Sequence, residues 1–378
     1  MRAGWHIKPL GSLCDILDNQ RKPITKRDRI AGDYPYYGAT GILDFVAGFL
    51  FDEPLVLVGE DGAKWASGEN TAFSIEGKCW VNNHAHVLRP HRAEIADSWL
   101  IHFLVHFDLS EFVSGLTVPK LNQGSLREIP IPVPPLPEQQ RIVGILDEAF
   151  DGIATAKANA EQNLQNARAL FESHLQSVFT QRGEGWVVKK VSEVAKHSLG
   201  KMLDKAKNKG ELQPYLRNIN VRWFNFDLSD LLQMPFLPSE SDKYTAVKGD
   251  VLICEGGYPG RAAIWNENYP VYFQKALHRV RFHEPEHNKW FLYYLYVQDM
   301  SGELKQHFSG TGIQHFTSEV LARFEIPLPP LQELRKAVAK FDELAEETQR
   351  LESLYQRKLA ALAELKKSLL HQAFSGAL

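Results

Sequence analysis

Two long stretches of the chain repeat apolar residues at alternating spacings of four and three positions. This spacing places apolar side chains along one face of an α-helix, which predicts two helices, each about 65 Å long at about 1.5 Å per residue. The first helix is predicted over residues 137–181, and its seam consists of Ile142, Leu146, Ala149, Ile153, Ala156, Ala160, Ala167 and Leu170, interrupted at Asn163. The seam of the second helix consists of Phe341, Leu344, Thr348, Leu351, Tyr355, Leu362, Leu365 and Leu369.

The two seams differ in the size of their side chains. Alanine dominates the first seam and large residues dominate the second. Large side chains facing small ones let two helices approach closely, so we expect the two helices to form an intramolecular antiparallel pair. The alternative is a separate dimerisation coil on each helix, which the difference between the seams disfavours.

Upstream of each helix the pattern changes to short apolar runs. Leu55–Val58 and Val251–Cys254 are bounded by glycine and aspartate, which is typical of strands. A proline-rich run that ends at Pro137 excludes helix before it, because proline lacks an N–H group and clashes with the preceding turn. Glu138 follows in the first helical turn, where an acidic group is favoured by the helix dipole.

This whole arrangement occurs twice in the chain. Ile131-Pro-Val-Pro-Pro-Leu136 aligns with Ile326-Pro-Leu-Pro-Pro-Leu331, and the alignment continues through both helices without a gap. Gly4-Trp5 aligns with Gly185-Trp186 at a smaller shift, which indicates extra loop residues in the second copy. Repeats this long indicate a tandem duplication of domains and not a solenoid.

The duplication predicts an α+β fold, with two tandem globular domains of mixed helix and sheet separated by two long antiparallel coiled-coil helices. The predicted boundaries are 1–135 for the first globular domain, 136–183 for the central helix, 184–330 for the second globular domain and 331–378 for the C-terminal helix.

Composition narrows the class of protein. Of the 378 residues, 44% are hydrophobic and 24% are charged, which is typical of a soluble globular protein. The net charge of −3 means that any nucleic-acid site must be a local basic patch. The first ten residues lack the apolar run of a signal peptide, and no stretch approaches the roughly 20 apolar residues that a membrane helix needs, so we expect neither a signal peptide nor a membrane partner. Three widely separated cysteines predict a reducing cytoplasm and neither disulfides nor a zinc site.

Catalytic motifs are missing from the sequence. It contains no phosphate-binding loop, no HExxH and no GxSxG. Glu60 with Asp61-Gly-Ala-Lys64 weakly resembles the acidic cluster of a metal-dependent nuclease, but the second copy has Glu255-Gly-Gly-Tyr258 there, without a lysine. His84 and His86 lack further ligands at metal-binding spacing. We therefore expect no catalytic residues, no metal and no cofactor in this chain, with a stand-alone DNA nuclease as the alternative.

A basic cluster follows the first strand in both copies. Lysine and arginine neutralise DNA phosphates and release counterions, which gives affinity independent of sequence. The null alternative for such a cluster is a solvated loop, but its duplication favours DNA binding. The candidates are Arg21, Lys22, Lys26 and Arg27 in the first copy, and Lys201, Lys205 and Lys207 in the second.

Base reading requires polar and planar side chains on exposed loops, where arginine recognises guanine and asparagine or glutamine recognises adenine. In the first copy the candidates are Tyr36, Tyr37, Lys64, Asn82, Asn83, His84, Lys120, Asn122 and Gln123. In the second copy they are Arg217, Asn218, Asn220, Arg222, Tyr258, Arg261, Gln274, Lys275 and His278. The strongest candidates among these are Tyr258 and Arg261, because a glycine-rich loop permits an exposed turn that presents both side chains.

Two divergent halves, each ending in an Ile-Pro-x-Pro-Pro-Leu-x-Glu run and a long helix, resemble the specificity subunits of Type I restriction-modification enzymes. Tyr34-Pro-Tyr-Tyr-Gly-Ala-Thr-Gly41, Asn82-Asn-His-Ala-His86 and Leu136-Pro-Glu-Gln-Gln-Arg-Ile142 add to the resemblance. The resemblance covers essentially the whole chain. The central helix departs from some members because it has no short tandem repeat.

This resemblance implies that the globular domains are target recognition domains, each of which reads one half of a split double-stranded DNA target. It implies that the helices set the spacing between the halves. Two modification subunits that bind S-adenosylmethionine would dock there, and restriction subunits, the users of Mg²⁺ and ATP, would join through them. Alternatives are the specificity subunit of a related system with fused modification and cleavage chains, and a scaffold whose helices bind proteins without reading DNA.

Overall fold

The computed structural model describes residues 4–115, 117–204, 206–310, 312 and 314–378. The chain divides into two compact units. Unit 1 comprises residues 1–162 and 355–378, and unit 2 comprises residues 163–354. Each unit therefore contains one globular copy together with a part of both long helices, whereas the sequence-based boundaries treat each helix as a separate segment.

Unit 1 begins with the first globular copy. Its strands are His6–Pro9 (β1), Cys14–Ile16 (β2), Ala31–Gly38 (β3), Gly41–Val46 (β4), Phe51–Asp52 (β5), Leu55–Gly59 (β6), Ala72–Ile75 (β7), Lys78–Val81 (β8), Ala85–Pro90 (β9), Val113–Ser114 (β10), Lys120–Leu121 (β11) and Pro130–Val133 (β12). Its helices are Asp97–His106 (α1) and Gln123–Arg127 (α2), and the long helix Leu136–Thr180 (α3) follows and continues into unit 2.

Two four-stranded sheets form the body of unit 1, in the orders β2-β9-β6-β7 and β4-β3-β8-β5. Pairing is antiparallel except between β3 and β8, which run parallel. Val56 and Val58 of β6 pack into the core beneath α1, whereas Leu55 and Leu57 pack against residues of β8. Burial on both faces explains why β6 is apolar at every position instead of alternating.

Unit 2 repeats this arrangement in the second globular copy. Its strands are Val187–Lys190 (β13), Ala195–Leu199 (β14), Glu211–Leu216 (β15), Val221–Arg222 (β16), Asn225–Phe226 (β17), Leu232–Phe236 (β18), Thr245–Ala246 (β19), Val251–Cys254 (β20), Ala262–Ile264 (β21), Val271–Phe273 (β22), Leu277–Phe282 (β23) and Glu325–Leu328 (β24). Its helices are Val191–Val194 (α4), Ser241–Tyr244 (α5), His287–Met300 (α6) and Ser318–Arg323 (α7), followed by the long helix Leu331–Ser375 (α8).

The two copies share one topology. The sheets β14-β23-β20-β21 and β18-β15-β22-β19 correspond strand by strand to the sheets of unit 1. In each copy the proline-rich strand before the long helix pairs with the first strand, as β1 with β12 and β13 with β24. The proline run therefore closes each globular body before the helix leaves it.

The long helices pack against each other within each unit. In unit 1 the first turns of α3, with Ile142 and Leu146, share a core with Leu370 and Ala373 from the last turns of α8. In unit 2 the last turns of α3 share a core with the first turns of α8, through Phe171, Leu175, Phe179, Leu334 and Phe341. The helices are therefore antiparallel, and the predicted α+β fold with two copies and two long helices is confirmed.

The predicted seam is wrong near the end of each helix. Leu170 is 68% exposed and Leu365 is 48% exposed, whereas Phe171 and Leu370 are buried. An α-helix with 3.6 residues per turn drifts by about 20° per heptad relative to a strict seven-residue repeat. The buried stripe of each helix has accordingly moved to neighbouring positions near its end.

Among the residues that the structure describes, none of the helices combines sufficient length with sufficient apolar character to span a membrane.

Candidate nucleic-acid interface

Loops that are distant in sequence meet at one place in unit 1, and backbone hydrogen bonds hold them together. Glu60, just after β6, donates its N–H to the carbonyl of His84 at 2.8 Å and accepts from the N–H of Leu121 at 2.8 Å. Asn82 donates its N–H to the carbonyl of Tyr37 at 3.0 Å. The ends of β3, β6 and β8 and the segment before α2 therefore form one surface, which we call the loop cluster of unit 1.

Unit 2 repeats this scaffold with different residues. Glu255 donates its N–H to the carbonyl of Ala276 at 2.9 Å and accepts from the N–H of Phe316 at 2.8 Å. Gln274 donates its N–H to the carbonyl of Leu216 at 3.1 Å. These bonds define the loop cluster of unit 2. The same backbone frame thus presents two different sets of side chains.

A buried histidine supports each loop cluster. His86 and His278 have no exposed surface, and their Nε2 atoms lie 2.7 Å from the carbonyl oxygens of Leu121 and Phe316, respectively. Burial lowers the pKa of His278 to about 4, although its hydrogen bond to Phe316 acts in the opposite direction. At neutral pH His278 is therefore uncharged and donates from Nε2 to the carbonyl.

In unit 1 the histidine belongs to a network of buried charges. Nδ1 of His86 lies 2.6 Å from a carboxylate oxygen of Asp18, and Arg21 forms ion pairs with both Asp18 and Glu60. Lys120 adds a 2.7 Å ion pair to Glu60. Burial by itself would raise the pKa of Asp18, but the hydrogen bond and charge of His86 outweigh it, and the pKa lies below its usual value.

This network includes a group of side chains with metal-ligating atoms, namely Asp18, Glu60 and His86, whose donor atoms lie within 4.8 Å of one another. Arg21 and Lys120 occupy the same carboxylates, so the negative charge is already compensated. The arrangement is complete as an ion-pair network that ties the loops together.

The structure separates the predicted phosphate contacts of the first copy into two groups. The side chain of Arg21 is only 12% exposed and also donates to the carbonyl of Ala85 at 2.7 Å. Its guanidinium group is committed to internal partners, which revises the prediction that it contacts phosphate. The remaining three side chains are exposed: Lys22, Lys26 and Arg27.

The predicted base-reading residues of the first copy also divide into side chains with internal partners and side chains that are exposed. Tyr36 is buried, and its hydroxyl oxygen accepts from the N–H of Ile24 at 2.9 Å, so it anchors the basic loop. Buried Asn82 accepts from the N–H of His84, and Tyr37 is half-buried against Phe73. Lys120 is partly exposed but paired with Glu60. The exposed candidates are Lys64, Asn83, His84, Asn122 and Gln123.

In the second copy the predicted phosphate contacts also differ in their surroundings. Lys201 is buried, and its Nζ atom lies 2.5 Å from Glu240 and 2.8 Å from the carbonyl of Pro235. Its burial revises the prediction that it contacts DNA, because an ammonium group fixed in this way cannot reach a phosphate. Lys207 is exposed. Lys205 lies outside the described residues.

Several base-reading candidates of the second copy have internal partners. Arg217 donates to the carboxylate of Asp230 at 2.7 Å, and Arg222 donates to the carbonyl of Ile219. Asn220 and His278 are buried, which revises the prediction that they contact bases. Asn218 and Gln274 are half-buried, whereas Lys275 is exposed.

The glycine-rich loop after β20 is the most prominent part of the loop cluster of unit 2. Gly257 and Gly260 adopt positive φ angles of 77° and 84°, which favour glycine. The loop exposes Tyr258 and places the Arg261 guanidinium 4.6 Å from the centre of its ring. Arg261 also donates to the carbonyl of Asn218 at 3.1 Å, so the pair is held in place before any ligand binds.

Beside this loop lies a depression of about 370 Å³, lined by residues that include Asn218, Glu255, Lys275 and His315. Sequence reasoning missed His315, and it missed the supporting roles of Asp18, Glu60 and His86. A signal for Glu60 was present, because Glu255 follows the equivalent strand in the second copy. Nothing in the sequence marks the contact between Asp18 and His86, which are 68 positions apart.

Two copies of one loop-bearing scaffold, each with its own exposed polar and basic side chains, define a class of protein with two related candidate binding surfaces in one chain. The family described as the Type I restriction modification DNA specificity domain matches residues 2–166 and 183–358, and this chain belongs to that family. The chain is accordingly a Type I specificity subunit.

The chain is also similar in sequence to proteins whose names describe them as type I restriction enzyme specificity subunits. A protein of Haemophilus influenzae, whose name places it among type I restriction enzyme specificity subunits, is 28% identical over 89% of this chain and 86% of its own length. The EcoKI specificity subunit of Escherichia coli is 24% identical over 86% of this chain and 75% of its own length.

Solved structures share the fold. A chain from a study of assembly and conformational transition of the type I restriction-modification system has a TM-score of 0.73 at 21% identity, covering 100% of this chain and 99% of its own length. The HsdS subunit of Thermoanaerobacter tengcongensis has a TM-score of 0.61 at 19% identity, covering 100% and 98%.

Proposed function

We propose that each unit of this specificity subunit binds one half of a split double-stranded DNA target through its loop cluster. The observation that carries this proposal is the duplicated backbone frame with its non-identical exposed side chains. One frame that presents two side-chain sets suits two different half-targets approached in the same way. The pseudo-symmetric repeat also suits two identical partner subunits.

The exposed and half-buried candidate side chains divide into two roles. Lys22, Lys26 and Arg27 in unit 1, with Lys207 in unit 2, are cations that position the chain on phosphates. Base edges are read by planar and hydrogen-bonding groups on the loop clusters. In this proposal those groups are Lys64, Asn83, His84, Asn122 and Gln123 of unit 1, and Asn218, Tyr258, Arg261, Gln274 and Lys275 of unit 2.

The chemistry belongs to partner subunits in this proposal. Two modification subunits, which bind S-adenosylmethionine, dock on the long helices, and restriction subunits that use Mg²⁺ and ATP join the complex through them. The chain itself needs no cofactor and catalyses no reaction. Its three cysteines are buried free thiols, which suits the reducing cytoplasm that we propose as its compartment.

A domain exchange tests the reading role. Residues 1–135 are replaced by the corresponding segment of another specificity subunit, and methylated adenines are mapped by sequencing in cells that carry the hybrid enzyme. We expect one half of the methylated motif to change and the other half to stay the same. The reciprocal control exchanges residues 184–330 and should change the opposite half. A hybrid that alters both halves would contradict the modular proposal.

A nuclease assay tests the assignment of catalysis to the partners. The purified chain is incubated with plasmid DNA and Mg²⁺ or Mn²⁺, and we expect the DNA to stay intact because Arg21 and Lys120 occupy the carboxylates that a metal would need. Metal-dependent cleavage that a Glu60→Gln variant abolishes would favour the nuclease alternative instead.

A further inference from the structure

Unit 2 contains a segment that unit 1 lacks. In unit 1 the strands β3 and β4 are joined directly after Gly38, whereas in unit 2 residues 217–231 separate β15 from β18. This segment folds into the β16–β17 hairpin, with Trp223 and Phe224 at its turn. Phe224 has a φ angle of 68°, and it is the one described residue other than glycine with a positive value. A bulky residue in this conformation is strained, and such strain is concentrated at functional sites.

The hairpin turn forms one wall of a pocket of about 600 Å³. The other walls come from α3, α6 and the first half of α8, all within unit 2. Four aromatic residues line it, namely Phe171, Trp223, Phe224 and Tyr296. The Tyr296 ring lies 5.2 Å from Trp223 and 4.9 Å from Phe224, measured between ring centres. These rings pack against one another and form an aromatic wall of the pocket.

The charged residues in the same lining give the pocket negative character. Glu172 and Glu352 are acidic, and Arg168 is basic. Arg168 pairs with Glu352 at 2.5 Å, and Glu172 accepts a hydrogen bond from the Tyr296 hydroxyl at 3.4 Å. Burial, and to a smaller extent Glu172, raises the pKa of Tyr296 to about 12, so this hydroxyl stays neutral. One carboxylate therefore lacks a cationic partner within the lining.

The equivalent positions of unit 1 carry the opposite charge. In the gapless alignment of the two long helices, Glu172 corresponds to Lys367 and Glu352 corresponds to Lys157. Phe171 corresponds to Lys366, whose Nζ atom lies 5.0 Å from the ring centre of Phe150. In unit 1 a lysine of the same chain, Lys366, thus contacts an aromatic ring. The equivalent region of unit 2 has aromatic rings and acidic groups instead.

We propose that the pocket of unit 2 receives a lysine or arginine side chain of one modification subunit. This inference rests on the proposed docking of modification subunits on the long helices. Aromatic faces attract cations, and Glu172 supplies the complementary charge. An identical modification subunit on unit 1 would bring the same cation towards Lys157 and Lys367. The two modification subunits therefore bind with unequal affinity, the tighter one on unit 2.

The test is a titration of the full-length chain with its modification subunit, followed by native mass spectrometry. For the wild-type chain we expect a one-to-one complex to accumulate before the complex with two modification subunits. Trp223→Leu removes an aromatic face and Glu172→Gln removes the complementary charge, so each should weaken the tighter binding step by about tenfold and leave the weaker step unchanged. Glu346→Gln removes an exposed acid of α8, outside the pocket lining, and should change neither step.

The outcomes separate this inference from the proposed function. Tight binding that is unchanged in both pocket variants would overturn the pocket as a docking site. A wild-type chain that binds no modification subunit would overturn the proposed function itself. If Trp223→Leu lowers the melting temperature, its weaker binding could reflect a loss of folding. Glu172→Gln then tests the pocket, because it replaces one polar side chain by another of the same size.

Discussion

The buried histidine of unit 2 makes the stability of that unit depend on pH. The pKa of His278 is lowered from 6.5 to about 4 in the folded chain, mainly by burial. The unfolded chain therefore takes up the proton first, and stability that is present above pH 6.5 is lost as the pH falls towards 4. A difference of this size corresponds to about 3 kcal/mol.

His278→Gln keeps a donor for the Phe316 carbonyl but removes the titration. We expect the variant to lose less stability than the wild-type chain between pH 6.5 and 4.5, as measured by urea unfolding at several pH values. His283→Gln changes an exposed histidine and should keep the wild-type pH dependence. Identical pH profiles for the wild type and His278→Gln would show that His278 is not buried in its neutral form.

Two arginines from the same basic cluster should behave differently. Arg27 has an 88% exposed side chain, so Arg27→Ala should leave the melting temperature unchanged and lower the salt-dependence slope of DNA binding by the assembled enzyme by about 1. Arg21→Ala leaves the carboxylates of Glu60 and Asp18 without their arginine, so it should destabilise unit 1 by about 3–5 kcal/mol. Thermal unfolding together with binding titrations at several salt concentrations checks both; equal melting temperatures for the two variants would contradict the assignment of Arg21.

At the scale of elements, each long helix ends inside the core of a globular copy. Leu370 is 3% exposed in unit 1, and Leu175 is fully buried at the equivalent position in unit 2. Leu370→Ala and Leu175→Ala should each destabilise its own unit by about 2–5 kcal/mol, because each leaves a cavity. Leu365→Ala and Leu170→Ala are the matched exposed controls and should change stability by about 0.5 kcal/mol or less. Chemical unfolding of the four variants makes the comparison, and equal losses within either pair would refute the observed seam.

At the scale of the whole molecule, the long helices are the proposed spacer between the two half-targets. Seven residues inserted into α3 within residues 155–170, with a matching insertion in α8, lengthen a helix by about 10.5 Å at about 1.5 Å per residue. At about 3.4 Å per base pair, the unread spacer of the methylated motif should grow by about three base pairs. Motif mapping by sequencing measures the spacer, and the halves should keep their sequences. An unchanged spacer would show that the length of the helices does not set the distance between the two half-targets.

The sequence by itself determined the duplication, the two long helices and the short buried strands. These features depend on local signals: apolar periodicity, the prolines that precede Leu136 and Leu331, and the glycine and aspartate that bound Leu55–Val58. They also support the resemblance to Type I specificity subunits, because that resemblance rests on the same motifs. The helix α8 begins directly after its proline run, at Leu331, whereas α3 begins at Leu136 and includes Pro137 in its first turn, where proline is tolerated.

Only the tertiary structure decided which polar side chains are available to a ligand. Arg21 and Arg27 belong to the same basic run and cannot be told apart from the sequence. In the fold, Arg21 forms an ion pair with Glu60 and a hydrogen bond to Ala85, whereas the side chain of Arg27 is 88% exposed. The seam shift at Leu170 and the pocket beside Trp223 have the same origin. Burial and charge pairing depend on contacts between residues far apart in the chain, and these contacts cannot be predicted from local sequence patterns.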